Sequence, residues 1–229
     1  MMVARSSSGI TKNEAAIAEI CNLAWPKATE QDVIAAAWAY YYFSVQFREN
    51  LCLACDMFPS DEALMRLFAE ECDTSNLSPF PGVALPGERL NHDEFMRRVL
   101  ESSAVPQNVI VHYQEAGERY LGKVRAIDPE VRALSMASFE DGGLEAVFKA
   151  MLKSADYDHV VVKGFRFFLS EHIRFDSDPE AGHGSLSRHL ALDDRVAELW
   201  LLFKDLLLEI NPRLATDGAG EQVSVMALV

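Results

Sequence analysis

An all-α bundle of about seven helices is the fold this sequence predicts, and three observations predict it. Nearly every segment repeats its apolar residues with the helical period, and none alternates as a half-buried strand does. Helix starts are explicit: Thr11-Lys-Asn-Glu14, Thr29-Glu-Gln-Asp32 and Asn91-His-Asp-Glu94 each set a capping side chain ahead of an apolar run. With a single exception the connections are short, as neighbouring helices in a bundle require.

The first helix runs from the Thr11 box to Trp25-Pro26. Thr29 opens a long second helix to about Asp56, stopped before Pro59, and Ser60 caps a third to about Cys72. Residues 73–91 hold three prolines and two glycines (Pro79, Pro81, Gly82, Pro86, Gly87) and form the one long loop, a length that in a compact domain tends to carry function. Asn91 opens a helix to about Ser102. Pro106 suits the first position of the next, which runs to about Arg125. Asp128-Pro129 begins another, ending near Asp141-Gly142-Gly143, and Leu144 to Ser154 continues as a short helix. Tyr157 to Phe175 follows. Ser185 to Leu214 reads as helical with an interruption near Asp193, and Leu199, Trp200, Phe203, Leu206, Leu207 and Ile210 face inward. Nothing divides the chain internally: residues 1–9 read as a flexible leader, 10–214 as one domain and 215–229 as a frayed tail.

With 229 residues the chain can bury a sizeable core. Its net charge of -14 and pI near 4.8 argue against nucleic acid or an anionic membrane as a partner, since both call for clustered Lys and Arg. No apolar run is long enough to cross a membrane, and MMVARSSSG lacks the apolar centre of a signal peptide, so a cytoplasmic protein is expected. A homodimer is an open option for a partner. Cys52-Leu-Ala-Cys55 is formally a CxxC pair, but it falls inside the second helix with no second pair for zinc, and it reads as packing.

The chemistry lies in polar residues on apolar stripes. Phe165, Phe168, Leu169, His172 and Asp176 occupy one helical face, which turns from aromatics to an imidazole and a carboxylate one turn apart. A buried carboxylate costs roughly several kcal/mol unless it is paired, hydrogen-bonded or metal-bound. His183 follows, completing an imidazole, carboxylate, imidazole set that suits iron. Other helices repeat the theme. Glu71 shares a stripe with Leu64, Leu67 and Phe68, and is flanked by Glu70. His92 shares one with Phe95, Met96 and Val99, and Glu140 with Ala133, Met136 and Ala137. Glu49, with Trp38, Tyr42, Val45 and Cys52, is a weaker member. Recurrence on separate helices is what bundles use to build carboxylate-bridged dimetal sites. The bland alternative is a set of satisfied core or helix-end polar residues in a metal-free protein.

Four segments resemble the haem-oxygenase-like diiron oxidases and oxygenases, a superfamily similar in architecture to the thiaminase-type and pyrroloquinoline-quinone-synthesis proteins. They are YYYFSVQF (Tyr40 to Phe47), FAEECD with HDEF (Phe68 to Asp73, His92 to Phe95), SFEDGGLEAVF (Ser138 to Phe148), and FFLSEHIRFD followed by HG (Phe167 to Asp176, His183-Gly184). The resemblance runs from about Ala36 to Leu214. It implies a haem-oxygenase-like bundle that uses dioxygen to oxidise a small amino-acid-, fatty-acid- or natural-product-derived metabolite. It implies two ferrous ions, or an iron–manganese pair, held by Glu71, His92, Glu140, His172, Asp176 and His183, with Glu49 nearest to the glutamate expected on the first core helix. Six residues, Ser177 to Gly182, separate Asp176 from His183, more than the family carries, so the helix must break for His183 to turn back. Arg174, Glu171 and Tyr42 are candidates to hold the imidazoles. The alternatives are a metal-free binding protein and a cofactor-independent enzyme of the same architecture.

Overall fold

Both threonine boxes cap as the sequence predicts. In the computed structural model the Thr11 and Thr29 side chains each accept from the third amide of their helix, while Glu14 and Asp32 bond back to the threonine amides. The structure describes residues 10–102, 105–176 and 183–215, without the Asp176 side chain; the expected leader and positions 216–229 of the expected tail lie outside it. The helices are α1 (Lys12–Cys21), α2 (Glu30–Met57), α3 (Glu62–Cys72), α4 (His92–Glu101), α5 (Gln107–Arg125), α6 (Pro129–Ser138), α7 (Leu144–Met151), α8 (Val160–Asp176), α9 (Gly184–Ser187) and α10 (Ala197–Ile210). Among the described residues, nine of these have eight or more residues, rather than about seven, and there is no strand. No helix among them is long and apolar enough to cross a membrane.

Several boundaries differ from expectation for local reasons. Helix α1 stops at Cys21, and Trp25-Pro26-Lys27 forms a separate tight turn whose buried indole N–H donates to the Ile20 carbonyl at 2.9 Å. Asp61, not Ser60, caps α3, because its carboxylate reaches the amides of Ala63 and Leu64, both at 3.1 Å. Pro106 precedes α5 in an extended conformation instead of starting it. The stretch 185–214 divides into α9 and α10, and Asp193 caps the short turn entering α10.

Helix α2 is the axis of the bundle and packs against α3, α4, α5, α6, α8 and α10. Val33 to Tyr40 are buried without a break, as a helix surrounded on all sides requires. Phe43, fully buried, meets Phe139, Trp200 and Phe203, while Tyr40 meets Phe148, Phe165 and Phe168. The predicted inward face of α10, from Leu199 to Ile210, is buried. Phe68 is not inward as expected: it is 36% exposed, while Leu64, Leu67 and Glu71 hold the buried side of α3.

The long loop 73–91 is folded back on itself. Thr74 and Leu90 exchange backbone hydrogen bonds at 3.2 and 2.9 Å, and Phe80 pairs with Ala84 inside that hairpin-like strap. Arg98 of α4 ties it down through the Val83 carbonyl and Glu88, and the Phe80 ring lies against Phe95 and Phe167. The loop is thereby fastened to α4 and α8, the two helices that present His92 and His172.

Candidate metal centre

Each imidazole and carboxylate at the centre arrives there for a local reason. Glu71 sits in the last turn of α3, on the face that Leu64 and Leu67 bury. His92 is the first residue of α4, directly after the Asn91 cap. His172 ends the buried aromatic stripe of α8 and stacks on Phe168 with ring centroids 4.0 Å apart. Glu140 lies in a widened turn, Phe139–Gly143, that kinks the chain between α6 and α7; Gly142 there has φ +89°, a conformation that favours glycine.

These positions converge. Among the described residues, Glu71, His92 and His172 offer ligand atoms that all lie within 4.8 Å of one another, and all three are buried. Glu71 Oε2 is 2.6 Å from His92 Nδ1, which is 3.0 Å from His172 Nε2. His183 enters from the other side: its Nδ1 is 3.0 Å from Glu71 Oε1 and 3.6 Å from Glu140 Oε2. The approach of His183 to the kinked turn depends on Gly184, where a Cβ would stand 2.9 Å from the Glu140 carbonyl oxygen and 3.3 Å from Asp141 Cα. No larger residue lets the backbone after His183 pass so close to the kinked turn.

The outer nitrogens decide what the inner ones can do. His172 Nδ1 is 2.8 Å from the Phe168 carbonyl, which only accepts, so Nδ1 carries a proton and Nε2 presents a lone pair inward. His92 Nε2 faces Asn76 Oδ1 at 3.3 Å, and its Nδ1 is turned inward in the same way. Two imidazole lone pairs and a carboxylate therefore point at one another, and such a set is stable only around a positive charge, either a proton or a metal ion. Glu71 Oε1 is buried and makes no aligned hydrogen bond of its own. This donor set of nitrogen and oxygen suits a first-row divalent metal such as iron. Without metal, burial alone would push the Glu71 carboxyl up, but His92 and His183 overcome this and hold it well below the usual carboxylate range.

Tyr40, Ser44, Phe47, Arg48, Cys72, Asp93 and Leu144 complete the walls of a cavity of about 20 Å³. That is room for a water or an ion, not for an organic molecule. Arg48 and Asp93 form a close ion pair at its edge, with N–O distances of 3.0 Å. Burial pushes the Cys72 thiol up to about 12, with the Glu71 charge adding to it, so Cys72 is a neutral wall.

Two expectations are not met by this geometry, and a third falls outside it. Glu49 is not brought to the cluster: Arg125 and Arg132 hold its carboxylate at 2.6 and 3.2 Å, and Tyr40, Ser44, Phe47 and Arg48 are the α2 residues that line the cavity. Arg174 and Glu171 pair with each other on the surface, and Tyr42 packs on Gly117 away from the cavity. Asp176 ends α8, and its side chain lies outside the described residues. Sequence reasoning missed Asn76, Arg48 and Asp93, and gave Glu70 no role. In the structure Glu70 Oε2 lies 3.4 Å from His183 Nε2. The one available signal was the length of the loop that carries Asn76.

Comparison with protein-family models, with curated proteins and with solved structures finds no match to this chain.

Proposed function

We propose that this chain is a non-haem diiron oxidase or oxygenase, built on a haem-oxygenase-like bundle, that uses dioxygen to oxidise a small organic metabolite. One observation carries the reading. The two oxygens of a single buried carboxylate, Glu71, face two different imidazole groups, His92 with His172 on one side and His183 beside Glu140 on the other. A carboxylate so placed can bridge two cations, each with its own nitrogen ligands. The resemblance carried by the four sequence segments supplies iron and dioxygen as the chemistry.

Glu71, His92 and His172 would hold one iron, and Glu71, Glu140 and His183 the other, with Asp176 as the further ligand the resemblance implies. Bound iron would supply the electrons and open coordination positions that reaction with dioxygen requires. The chain supplies the rest. The Phe168 carbonyl and Asn76 keep protons on the outer nitrogens of His172 and His92, so that the inner nitrogens stay available. Tyr40, Phe47 and Leu144 line the centre, and Phe148 and Phe168 pack edge-on and face-on against His172, an apolar surround that limits water. An organic substrate needs more room than the cavity has, so its entry calls for movement at the cavity edge, where the Arg48–Asp93 pair stands.

Protein purified from iron-supplemented cells is expected to carry close to two irons per chain, and anaerobic ferrous addition to metal-free protein is expected to raise its melting temperature. No iron and no thermal shift would overturn the proposal. A second reading, a metal-free polar network, is favoured by the direct 2.6 and 3.0 Å contacts that a shared proton could hold together. His172→Ala separates the two. It is expected to cut bound iron by at least half under the first reading and only to lower stability under the second, as read by metal analysis beside a melting curve.

A further inference from the structure

The loop 73–91 has no counterpart in the ligand set, yet it is pinned at both legs and fastened to two ligand-bearing helices. It reaches the centre through Asn76. The Thr74–Leu90 backbone pair sets Asn76 two residues after one leg and His92 two residues after the other, so both side chains project from the base of the same strap. The Asn76 amide N–H is held by Thr74 Oγ1 at 3.2 Å, which fixes the turn that aims the side chain. Asn76 Oδ1 then faces His92 Nε2 at 3.3 Å.

We infer that Asn76 is a positioning residue of the metal centre: its side-chain oxygen keeps the His92 proton on Nε2 and so keeps Nδ1 free for a metal. The inference rests on the metal-binding reading above and deepens it. His92, unlike His172, needs such a partner from outside its own helix. His172 finds its acceptor one turn back, in the Phe168 carbonyl, but His92 begins α4 and has no preceding turn. Without Asn76 the His92 ring can carry its proton on Nδ1, which points a hydrogen at Glu71 Oε2 and blocks a metal there. The strap thus acts as a support that registers one oxygen against one imidazole, and its anchoring on α4 and α8 holds that register.

The test is an anaerobic cobalt(II) titration of the full-length metal-free chain, followed by the visible absorption of bound cobalt and by melting temperature. Asn76→Ala is expected to weaken cobalt binding about 10- to 100-fold, the usual cost of losing such a partner. Its metal-free melting should stay near that of the wild type. Asn76→Asp, which keeps an acceptor oxygen in place, is expected to restore binding and the cobalt spectrum. Asn76→Leu, similar in size and without an acceptor, replaces the alanine variant if that variant melts early without metal. Wild-type affinity in both Asn76→Ala and Asn76→Leu would overturn the inference while leaving the metal centre standing. Equal loss in Asn76→Asp and Asn76→Ala would also overturn it, because the loop's shape and not the oxygen would then matter. Wild-type protein that takes up no cobalt overturns the metal reading and this inference together.

Discussion

Glu71→Gln is expected to abolish iron uptake at both positions of the proposed diiron centre and to lower the melting temperature of the metal-free protein. The substitution keeps the shape of the side chain and removes its charge. Glu71 Oε2 lies 2.6 Å from His92 Nδ1 and Oε1 lies 3.0 Å from His183 Nδ1, so one change strips both halves of the centre. His172→Ala reaches only the half shared with His92. In metal-free protein, breaking a buried ion pair by removing one partner costs about 3–5 kcal/mol. The pH dependence follows from the same contacts. The folded carboxyl lies well below its ordinary value of 4.5, so its contribution is fully present above 4.5 and is lost as pH falls through the lower folded value. Metal-free wild type should therefore destabilise on acidification below 4.5 more steeply than Glu71→Gln does. Metal analysis and melting curves across pH check both parts, and full iron content in the variant would contradict the bridging role.

The second large effect is structural. Phe43→Ala is expected to destabilise the bundle by about 3–5 kcal/mol, the range for removing a buried ring and leaving a cavity behind. Phe43 is 0% exposed and its centroid lies 4.5 Å from Phe203, 5.2 Å from Phe139 and 5.9 Å from Trp200. Those rings come from α10 and from the kinked turn, so they cannot close the gap without shifting both. Phe139 immediately precedes Glu140, so the loss should also weaken iron binding on the Glu140 side. Urea denaturation should show a lower midpoint with little change in slope. A loss below about 1 kcal/mol would mean the core relaxes into the space.

The two predictions draw on parts of the molecule that were not equally legible in the sequence. Capping residues and helical periods act over three or four positions, so Thr11, Thr29 and Asn91 could be read as helix starts from the chain alone. The same short-range rule puts Glu71, His92, Glu140 and His172 on apolar stripes, and all four are buried. Glu49 shows where the rule fails. Helix α2 is enclosed by six neighbours, so its apolar residues run round the helix and no stripe marks the side that meets the centre. Which side that is depends on how α2 crosses α3, α4 and α8. Arg125 and Arg132, from distant segments, then take the Glu49 carboxylate.

By itself, then, the sequence determined an all-helical chain and the residues able to turn an imidazole or a carboxylate into its interior, because both depend on neighbours within a turn or two. The tertiary structure alone decided which of those groups meet, how the two oxygens of Glu71 are shared, and which imidazole nitrogens face inward. Those outcomes rest on contacts such as Asn76 with His92 and Glu71 with His183. Such pairs are set by helix crossings and by the fastening of a loop, and no local period in the chain encodes either.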